Sequence, residues 1–420
     1  MQTKLPESLL QTFEGQEAEA ILRACVHCGF CLATCPTYQL TGNELDSPRG
    51  RIYLIKNALE GSPVTRITQH HLDRCLTCRS CERACPSLVQ YGRLLEIGRA
   101  YVHERFTRPF PERAARNLLR LGLLNRSLFE RLIKLARLVR PCLPLWLKRT
   151  VAHRSASQPV FKQNRVRKML ILEGCVQPGL ASGINEAARR VLDRMNLSLV
   201  SAKNSGCCGS LSLHLDAREE AFNYMRQNID AWWPHIESGI EAIIMTASGC
   251  GVTVREYGKH LAHDPAYAER ARRVSELTRD ISEVILAEGA VLLSTYPVLL
   301  GRHVAFHAPC TLQHGQSLRG VVEEVLVTAG AILTDVPEGH MCCGSAGAYS
   351  FFEPEMSKQL RRLRLEALQS GAPEEIVTAN IGCMMHLAAK AKVPVRHWIE
   401  LLDDGFATLE KNVPYAMPQL

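Results

Sequence analysis

The sequence has no long apolar run and no secretory leader pattern. No stretch approaches the roughly eighteen apolar residues that a membrane-spanning helix requires. The first ten residues, MQTKLPESLL, lack the basic segment followed by an apolar segment that is typical of a secretory signal. We therefore expect a protein on the cytoplasmic side, where thiols stay reduced.

Sequence motifs of several cofactor and enzyme classes are also missing. No glycine-rich strand–turn–helix fingerprint of a dinucleotide site occurs, so we expect the chain to carry no flavin or nicotinamide of its own. No Ser-His-Asp triad or paired-carboxylate motif is visible either. What stands out instead is 17 cysteines in 420 residues. Clustered cysteines in a reducing compartment usually hold metal rather than form disulfides.

Eight of the cysteines form two groups with the same spacing, C-x2-C-x2-C-x3-C-P. In two-cluster ferredoxins, the fourth cysteine of each group ligates the other group's cluster. The spacing therefore predicts two [4Fe-4S] clusters with crossed ligands. The first would be held by Cys25, Cys28, Cys31 and Cys85, and the second by Cys75, Cys78, Cys81 and Cys35. A pair of zinc knuckles, the alternative, does not account for a doubled group that ends in proline.

The segment between the two groups predicts a mainly helical domain. Ser47 before Pro48 is typical of a helix N-cap with proline at the first helical position. Arg49 and Arg51 follow at once, and two interpretations of them stay open. They offset the negative charge of a cluster, or they are arginines in contact with water.

Eight further cysteines form an internal repeat. Cys175, Cys207 and Cys208 recur 135 residues later, and Cys250 recurs 133 residues later. The second set is Cys310, Cys342, Cys343 and Cys383. Apolar runs alternate with helix-like stretches in both copies, which predicts parallel sheets whose ligands gather at the carboxyl ends of the strands. Each set could hold one zinc ion or one iron–sulfur cluster; buried, structural thiols are the alternative.

Three more side chains need an interpretation. His214 and His307 stand near the repeat cysteines, and we expect them to be hydrogen-bonding groups beside the sites rather than ligands. Cys142 has no counterpart in either pattern, and we expect it to be structural.

The positive charge is concentrated in one segment. Residues 99–168 contain 18 Lys and Arg against three acidic residues, a net charge of +15, although the whole chain carries only +8. From Asn117 to Pro141 the leucines recur at helical spacing with arginines between them, which predicts an amphipathic basic helix. Such a helix could lie on an anionic membrane surface or pack on protein. Nucleic-acid binding is disfavoured because no aromatic stacking pattern accompanies the charge.

Several motifs carry a resemblance to a known family: ACVHCGFC at 24–31, DSPRGR at 46–51, YGRLLE at 91–96 and the two Cys-Cys-Gly repeats. With them the chain resembles the glycolate oxidase iron–sulfur subunit family along nearly its full length. The resemblance implies flavin-binding glycolate oxidase subunits as partners, a quinone-type electron acceptor and a peripheral place on the cytoplasmic side of the inner membrane. The wider group includes heterodisulfide reductase subunits and the iron–sulfur subunits of lactate utilisation and of anaerobic glycerol-3-phosphate dehydrogenase.

The repeats depart from the fullest form of that wider group. There each repeat ends in C-x2-C, which gives five cysteines able to hold a noncubane [4Fe-4S] cluster. Here the last positions are Thr253 and His386. His386 could still ligate a metal, whereas a threonine is a poor ligand for iron, so the departure disfavours disulfide-reducing chemistry.

Together these patterns predict an α+β multidomain protein. We expect a helical two-cluster ferredoxin domain at 1–98, a basic helical linker at 99–166, and α/β cysteine-rich domains at 167–300 and 301–420. The predicted function is an iron–sulfur electron-transfer subunit. The resemblance implies that it relays electrons from a flavoprotein during oxidation of glycolate to glyoxylate. The alternatives are a heterodisulfide- or quinone-reducing catalytic subunit, a subunit of a related lactate or glycerol-3-phosphate dehydrogenase, and a zinc-stabilised scaffold.

Overall fold

The structure is a computed structural model that describes residues 1–138 and 165–412. Cys142 and the rest of the basic segment between 139 and 164 lie outside the described residues. The described chain divides into two compact units. The first comprises Met1–Asn117 and His340–Arg364, and the second comprises Leu118–Gly339 and Leu365–Leu420, as far as these are described. The domain boundaries expected at 98, 166 and 300 stay predictions.

Helices account for most of the described elements. In chain order they are α1 Glu7–Leu10, α2 Phe13–Ala24, α3 Pro36–Thr41, α4 Pro48–Leu59, α5 Arg66–Asp73, α6 Ser80–Arg83, α7 Tyr91–Arg105, α8 Phe110–Leu124, α9 Arg126–Leu138, α10 Gln177–Leu180, α11 Gly183–Asp193, α12 Ser210–His214, α13 Arg218–Glu237, α14 Ser248–Arg255, α15 Tyr257–His260, α16 Ala268–Leu277, α17 Ile281–Thr295, α18 Val321–Thr328, α19 Tyr349–Phe352, α20 Pro354–Gln369, α21 Ile381–Ala388 and α22 Trp398–Asn412. A 3-10 turn covers Glu44–Asp46, and a π-helical segment covers Thr311–Gly315.

The strands form two four-stranded parallel sheets within the described residues. They are β1 Arg167–Ile171, β2 Leu197–Val200, β3 Ile243–Met245, β4 Thr278–Asp280, β5 His303–His307, β6 Ile332–Leu333, β7 Glu375–Thr378 and β8 Val395–His397. The strand orders are β2-β1-β3-β4 and β6-β5-β7-β8, so the second sheet repeats the topology of the first. The predicted fold class is confirmed: a helical ferredoxin-like domain precedes two tandem α/β repeats.

The helices of the first unit are positioned by local capping and close packing. The Ser47 hydroxyl accepts a hydrogen bond from the Gly50 amide at 2.9 Å, and Pro48 occupies the first turn of α4, as the sequence predicts. A Cβ on Gly50 would lie 2.0 Å from the Glu44 carbonyl oxygen. Only glycine therefore allows α4 to begin against the 3-10 turn, and this contact brings Arg49 and Arg51 beside the cysteine loops.

The two repeats share one hydrophobic core in the second unit. Side chains of both sheets enter it, among them Ile171 and Ile244 from the first repeat and Val304 and Val377 from the second. The opposite face of the first sheet packs separately, around the fully buried Trp232 of α13. Parallel sheets covered on both faces bury their strands almost completely, which explains the continuous apolar runs in the sequence.

The basic amphipathic segment differs from its prediction. Instead of one helix from Asn117 to Pro141, the described part contains α8 and α9, which are separated at Asn125. The Asn125 side chain accepts a hydrogen bond from the Leu128 amide at 3.0 Å, which starts a new helix. The leucine period continues across this break, so periodicity alone could not reveal it. Among the described residues, no helix is both long enough and apolar enough to cross a membrane.

Candidate metal centres

The first cysteine cavity lies in the first unit, at the end of α2. Its walls include Cys25, Cys28, Cys31 and Cys85, so the fourth cysteine of the second group meets three cysteines of the first. Cys25 and Cys31 are largely shielded from solvent, whereas Cys28 is exposed. The loop between them turns through left-handed backbone at His27 and Gly29, with φ of 56° and 87°. This turn directs successive thiols to one point.

The second cysteine cavity lies in the same unit. It is lined by Cys35, Cys75, Cys78 and Cys81, which is the other set that the crossed spacing predicts. Cys81 and Tyr91 line both cavities. The two cavities therefore share a wall, and groups held in them would be neighbours.

The thiols of each set are crowded and shielded, which disfavours their charged forms. The pKa of Cys31 is raised to about 11. Burial is the larger cause, and repulsion from Cys25 adds to it. Burial also raises the pKa of Cys81, and the nearby Cys78, Cys75 and Cys35 act in the same direction. Several thiolates become stable together only when a cationic metal centre offsets their charge. The donor set therefore fits an iron–sulfur cluster in each cavity.

A buried arginine supplies a second sign of fit in the second cavity. Arg51 lines the cavity and is 1% exposed. Its Nε donates to the His71 carbonyl oxygen at 2.7 Å, and its Nη1 donates to the Thr37 hydroxyl at 3.0 Å. Its Nη2 is buried without a hydrogen-bond partner among the described residues, and it lies 3.5 Å from Asp46 Oδ1. A buried cation with a spare donor beside four thiols suits a negatively charged cluster.

Two hydroxyl groups also contact the sulfurs of the second set. The Tyr91 hydroxyl donates to Cys75 Sγ at 3.5 Å, and the Thr37 hydroxyl lies 3.3 Å from Cys35 Sγ. Burial raises the pKa of Tyr91, so its hydroxyl keeps the proton that it donates. Sequence reasoning did not assign a role to either side chain, although Tyr91 stands in one of the motifs that carry the family resemblance.

The first repeat gathers its four cysteines at the carboxyl ends of strands. Cys175 follows β1, Cys207 and Cys208 follow β2, and Cys250 lies in the first turns of α14 after β3. The pKa of Cys175 is raised mainly by a hydrogen bond with Cys207, and burial adds to the increase. The hydrogen bond with Cys207 lowers the pKa of Cys208, but a hydrogen bond with Cys250 and burial outweigh it and raise the value. The thiols thus form one connected chain, as a shared metal site requires.

A buried polar network holds the first Cys-Cys-Gly loop in place. The Tyr257 hydroxyl donates to the Cys208 carbonyl oxygen at 2.9 Å, and Asn228 Nδ2 donates to the Cys207 carbonyl oxygen at 2.7 Å. Asn228 Nδ2 also lies 3.1 Å from the Tyr257 hydroxyl, so the two supports are linked. Gly209 closes the loop with φ of 90°, and its amide points at Cys207 Sγ over 3.4 Å. Tyr257 and Asn228 are positioning residues that sequence reasoning missed.

The sequence singles out four other side chains near the repeat cysteines: Thr253, His214, His307 and His386. Thr253 is buried on α14, and its hydroxyl bonds to the Gly249 carbonyl oxygen at 3.3 Å. His214 ends α12, His307 is buried at the end of β5, and His386 lies on α21. Their assignments beside the cysteine sites stay predictions.

The second repeat's cysteines divide between the two units. Cys310 follows β5 and Cys383 lies on α21, both in the second unit, where Asn380 Nδ2 lies 3.6 Å from Cys383 Sγ. Cys342 and Cys343 belong to the first unit. There the Gly344 amide points at Cys342 Sγ over 3.4 Å, which repeats the geometry of the first loop. Whether these four cysteines form one site stays a prediction. None of the sixteen cysteines in the described residues is part of a disulfide.

Comparison with known families and proteins agrees with these features. A 4Fe-4S dicluster domain family matches residues 21–89, and a cysteine-rich domain family matches residues 169–255 and 304–388. The chain is 51% identical to the glycolate oxidase iron–sulfur subunit of Escherichia coli over 98% of this chain and 100% of that protein. It is 29% identical to the probable glycolate oxidase iron–sulfur subunit of Bacillus subtilis, over 89% of this chain and 90% of that protein.

A more distant relative covers only part of the chain. Lactate utilization protein A of Bacillus licheniformis is 21% identical over 56% of this chain and 99% of that protein. High identity over the full length, together with both domain families, confirms the resemblance found in the sequence. The chain belongs to the glycolate oxidase iron–sulfur subunit family.

Proposed function

We propose that this chain is the electron-transfer subunit of a glycolate-oxidising complex. The single observation that carries the proposal is the pair of four-cysteine cavities that share Cys81 and Tyr91 as a common wall. Cavities so placed suit two [4Fe-4S] clusters at close spacing, and such clusters supply one-electron redox chemistry when bound. The crossed cysteine sets would be their ligands: Cys25, Cys28, Cys31 and Cys85, and Cys75, Cys78, Cys81 and Cys35.

The partner and the acceptor follow from that role. A flavin-bearing subunit would oxidise glycolate to glyoxylate by removing two electrons, and this chain would accept them one at a time. A membrane quinone is the acceptor that we propose. The chain's own part is to shield the clusters from water, to set their spacing and to tune their potentials through burial and hydrogen bonds.

The test is a co-purified complex with the flavin-bearing subunits. We expect glycolate to reduce both the flavin and an added quinone analogue in the wild-type complex. In a Cys28→Ala, Cys78→Ala double variant, glycolate should still reduce the flavin, but quinone reduction should fall at least a hundredfold. Unchanged quinone reduction in the cluster-depleted complex, or glycolate oxidation by this chain alone, would overturn the proposal.

We propose in addition that the first repeat holds one further metal centre on Cys175, Cys207, Cys208 and Cys250. The connected thiols and the held Cys-Cys-Gly loop support this assignment. Metal analysis of a Cys208→Ala variant tests it, because one zinc ion or one cluster should be lost while the two ferredoxin-type clusters remain. Identical metal content in variant and wild type would rule the site out.

The packing of α9 supports the membrane association that the sequence suggests. One side of the helix packs against α10, where the ring of Phe129 covers Gly179. A neighbouring face exposes Leu128, Leu132 and Leu135, which are 39%, 48% and 57% accessible and stand four and three residues apart.

Cationic side chains flank this exposed leucine stripe. Arg131 and Lys134 are exposed on the same helix. A leucine stripe flanked by cations suits an anionic lipid surface, where each cation near the surface contributes about 1 kcal/mol. We therefore propose that α9 docks on an anionic membrane.

Vesicle sedimentation tests this docking. The complex should bind vesicles of phosphatidylglycerol and phosphatidylcholine, and it should not bind vesicles of phosphatidylcholine alone. A Leu128→Gln, Leu132→Gln double variant should lose at least tenfold in binding, whereas Val291→Gln, a change at an exposed apolar position on α17, should not. Unchanged vesicle binding by the double variant would contradict the proposal. The proposal would also be contradicted if the double variant still bound vesicles but no longer bound a partner subunit.

A further inference from the structure

Two arginines of α4 stand beside different cysteine cavities in very different surroundings. Arg51 lines the second cavity and Arg49 lines the first. They are only two residues apart in the sequence and carry the same charge. They differ in their burial and in the carboxylates beside them. These differences determine how strongly each arginine would act on a neighbouring cluster.

Arg51 is held in the interior by neutral groups. Two of its nitrogens donate to the His71 carbonyl oxygen and to the Thr37 hydroxyl. The nearest carboxylate, Asp46, lies 3.5 Å away, and it also interacts with His71 Nδ1 at 2.8 Å and Arg74 Nη1 at 3.1 Å. Much of the Asp46 charge is therefore directed to other partners. Arg51 is 1% exposed, so its positive charge is shielded from solvent and its electrostatic interactions are strong.

Arg49 stands in a different environment. Its side chain is 34% accessible, and its Nε donates to Glu44 Oε1 at 2.8 Å. The Glu44 side chain is 44% accessible. A one-to-one ion pair in contact with water has little field left to act on a third charge, because solvent screens it. The first cavity also contains the exposed Cys28.

We propose that Arg51 makes the cluster of the second cavity the higher-potential cluster of the pair, so that an electron delivered to the pair resides there. One added electron makes a cluster more negative by one unit, and no bond forms or breaks. A buried positive charge stabilises that reduced form more than the oxidised form. The Tyr91 hydroxyl, which donates to Cys75 Sγ at 3.5 Å, acts in the same direction.

This inference rests on the proposed function, in which a reduced flavin on the partner subunit supplies the electrons. The more exposed first cavity would receive them, and the buried second cavity would retain them. Arg51 is a positioning residue in this scheme, since it acts on the electron through its charge and does not react.

The test is a redox titration of the reconstituted full-length chain, monitored by EPR, in three forms: wild type, Arg51→Met and Arg49→Met. Iron and sulfide are measured first. In the wild type we expect one one-electron step from each of the two ferredoxin-type clusters. Arg51→Met should lower the ratio of reduced to oxidised cluster at least tenfold in the higher-potential step only, which corresponds to about 59 mV for one electron. Arg49→Met, the matched control, should change either ratio by less than threefold.

A charge-preserving variant keeps the test decisive if Arg51→Met misfolds. If Arg51→Met fails to take up clusters, Arg51→Lys should load them and shift the higher-potential step in the same direction by a smaller factor. The inference is overturned if clusters are present but Arg51 variants leave the higher step unchanged, or if they move the lower step instead. Failure of the wild-type chain to bind two clusters would instead refute the proposed function.

Discussion

Replacement of Tyr257 by phenylalanine tests how the first Cys-Cys-Gly loop is held. The tyrosine is fully buried, and its ring stacks on Trp232 with 6.4 Å between ring centroids, so phenylalanine preserves the packing. Burial raises the pKa of Tyr257, which keeps the hydroxyl protonated as a donor. The substitution leaves the Cys208 carbonyl oxygen without this donor and removes the contact with Asn228.

The magnitude follows from these contacts. Loss of one partner of a buried polar group costs about 1–3 kcal/mol, so we expect the loop to lose about 2 kcal/mol against local opening. That loss corresponds to roughly 30-fold faster amide exchange in the loop. Hydrogen–deuterium exchange of peptides that contain Gly206 and Gly209 measures it, because the Gly206 amide donates to Asn228 at 2.8 Å and the Gly209 amide faces Cys207.

A matched control is available in the same unit. The Tyr267 hydroxyl donates to Asp230 Oδ2 at 2.8 Å at an exposed position, so Tyr267→Phe should change exchange in the loop less than threefold. The reasoning is refuted if Tyr257→Phe leaves exchange in the loop unchanged, or if exchange rises equally throughout the chain.

Other predictions concern the interior of the second unit. Burial lowers the pKa of His397 to about 4, so its neutral form contributes stability that is present above pH 6.5 and lost as the pH falls towards 4. The difference in unfolding free energy between wild type and His397→Gln should therefore shrink by about 3 kcal/mol between pH 7 and pH 4; a constant difference would contradict this. Asp403 is 2% exposed and pairs with Arg190 at 2.6 Å and Arg194 at 3.0 Å, so Asp403→Asn should cost about 3–5 kcal/mol by calorimetry. Glu374→Gln, at an exposed ion pair, should cost less than about 1 kcal/mol, and equal costs would contradict the assignment.

The sequence predicts the strands that contain an apolar run and misses the two that contain none. The first three strands of each sheet coincide with the apolar runs that the repeat revealed. The fourth strands, β4 and β8, have three residues each and contain polar side chains such as Arg279 and Arg396. Edge strands of this length are held by pairing with a buried neighbour, and that pairing leaves no periodic signal in the sequence.

Part of the candidate sites was likewise predictable from the sequence, and part was not. The structure brings the eight ferredoxin-type cysteines to two cavities, and each cavity is lined by one of the crossed sets that the spacing predicts. The roles of Arg49 and Arg51 could not be separated from the sequence, since both follow the same helix cap. Tyr257 gives no local signal, because it reaches Cys208 across 49 residues. Long-range packing decides both cases.

The central claim is that each cluster takes its fourth cysteine ligand from the other cysteine group. Iron content and EPR spectra of single variants test this claim directly. Each of the variants Cys35→Ala, Cys75→Ala and Cys28→Ala should lose about four of the iron atoms that the wild type binds. The EPR spectrum of the ferredoxin-type cluster that remains in Cys35→Ala should match the one that remains in Cys75→Ala. It should differ from the one that remains in Cys28→Ala. A Cys35→Ala spectrum that matches Cys28→Ala, or an unchanged iron content, would contradict the crossed pair of clusters on which the proposed electron transfer depends.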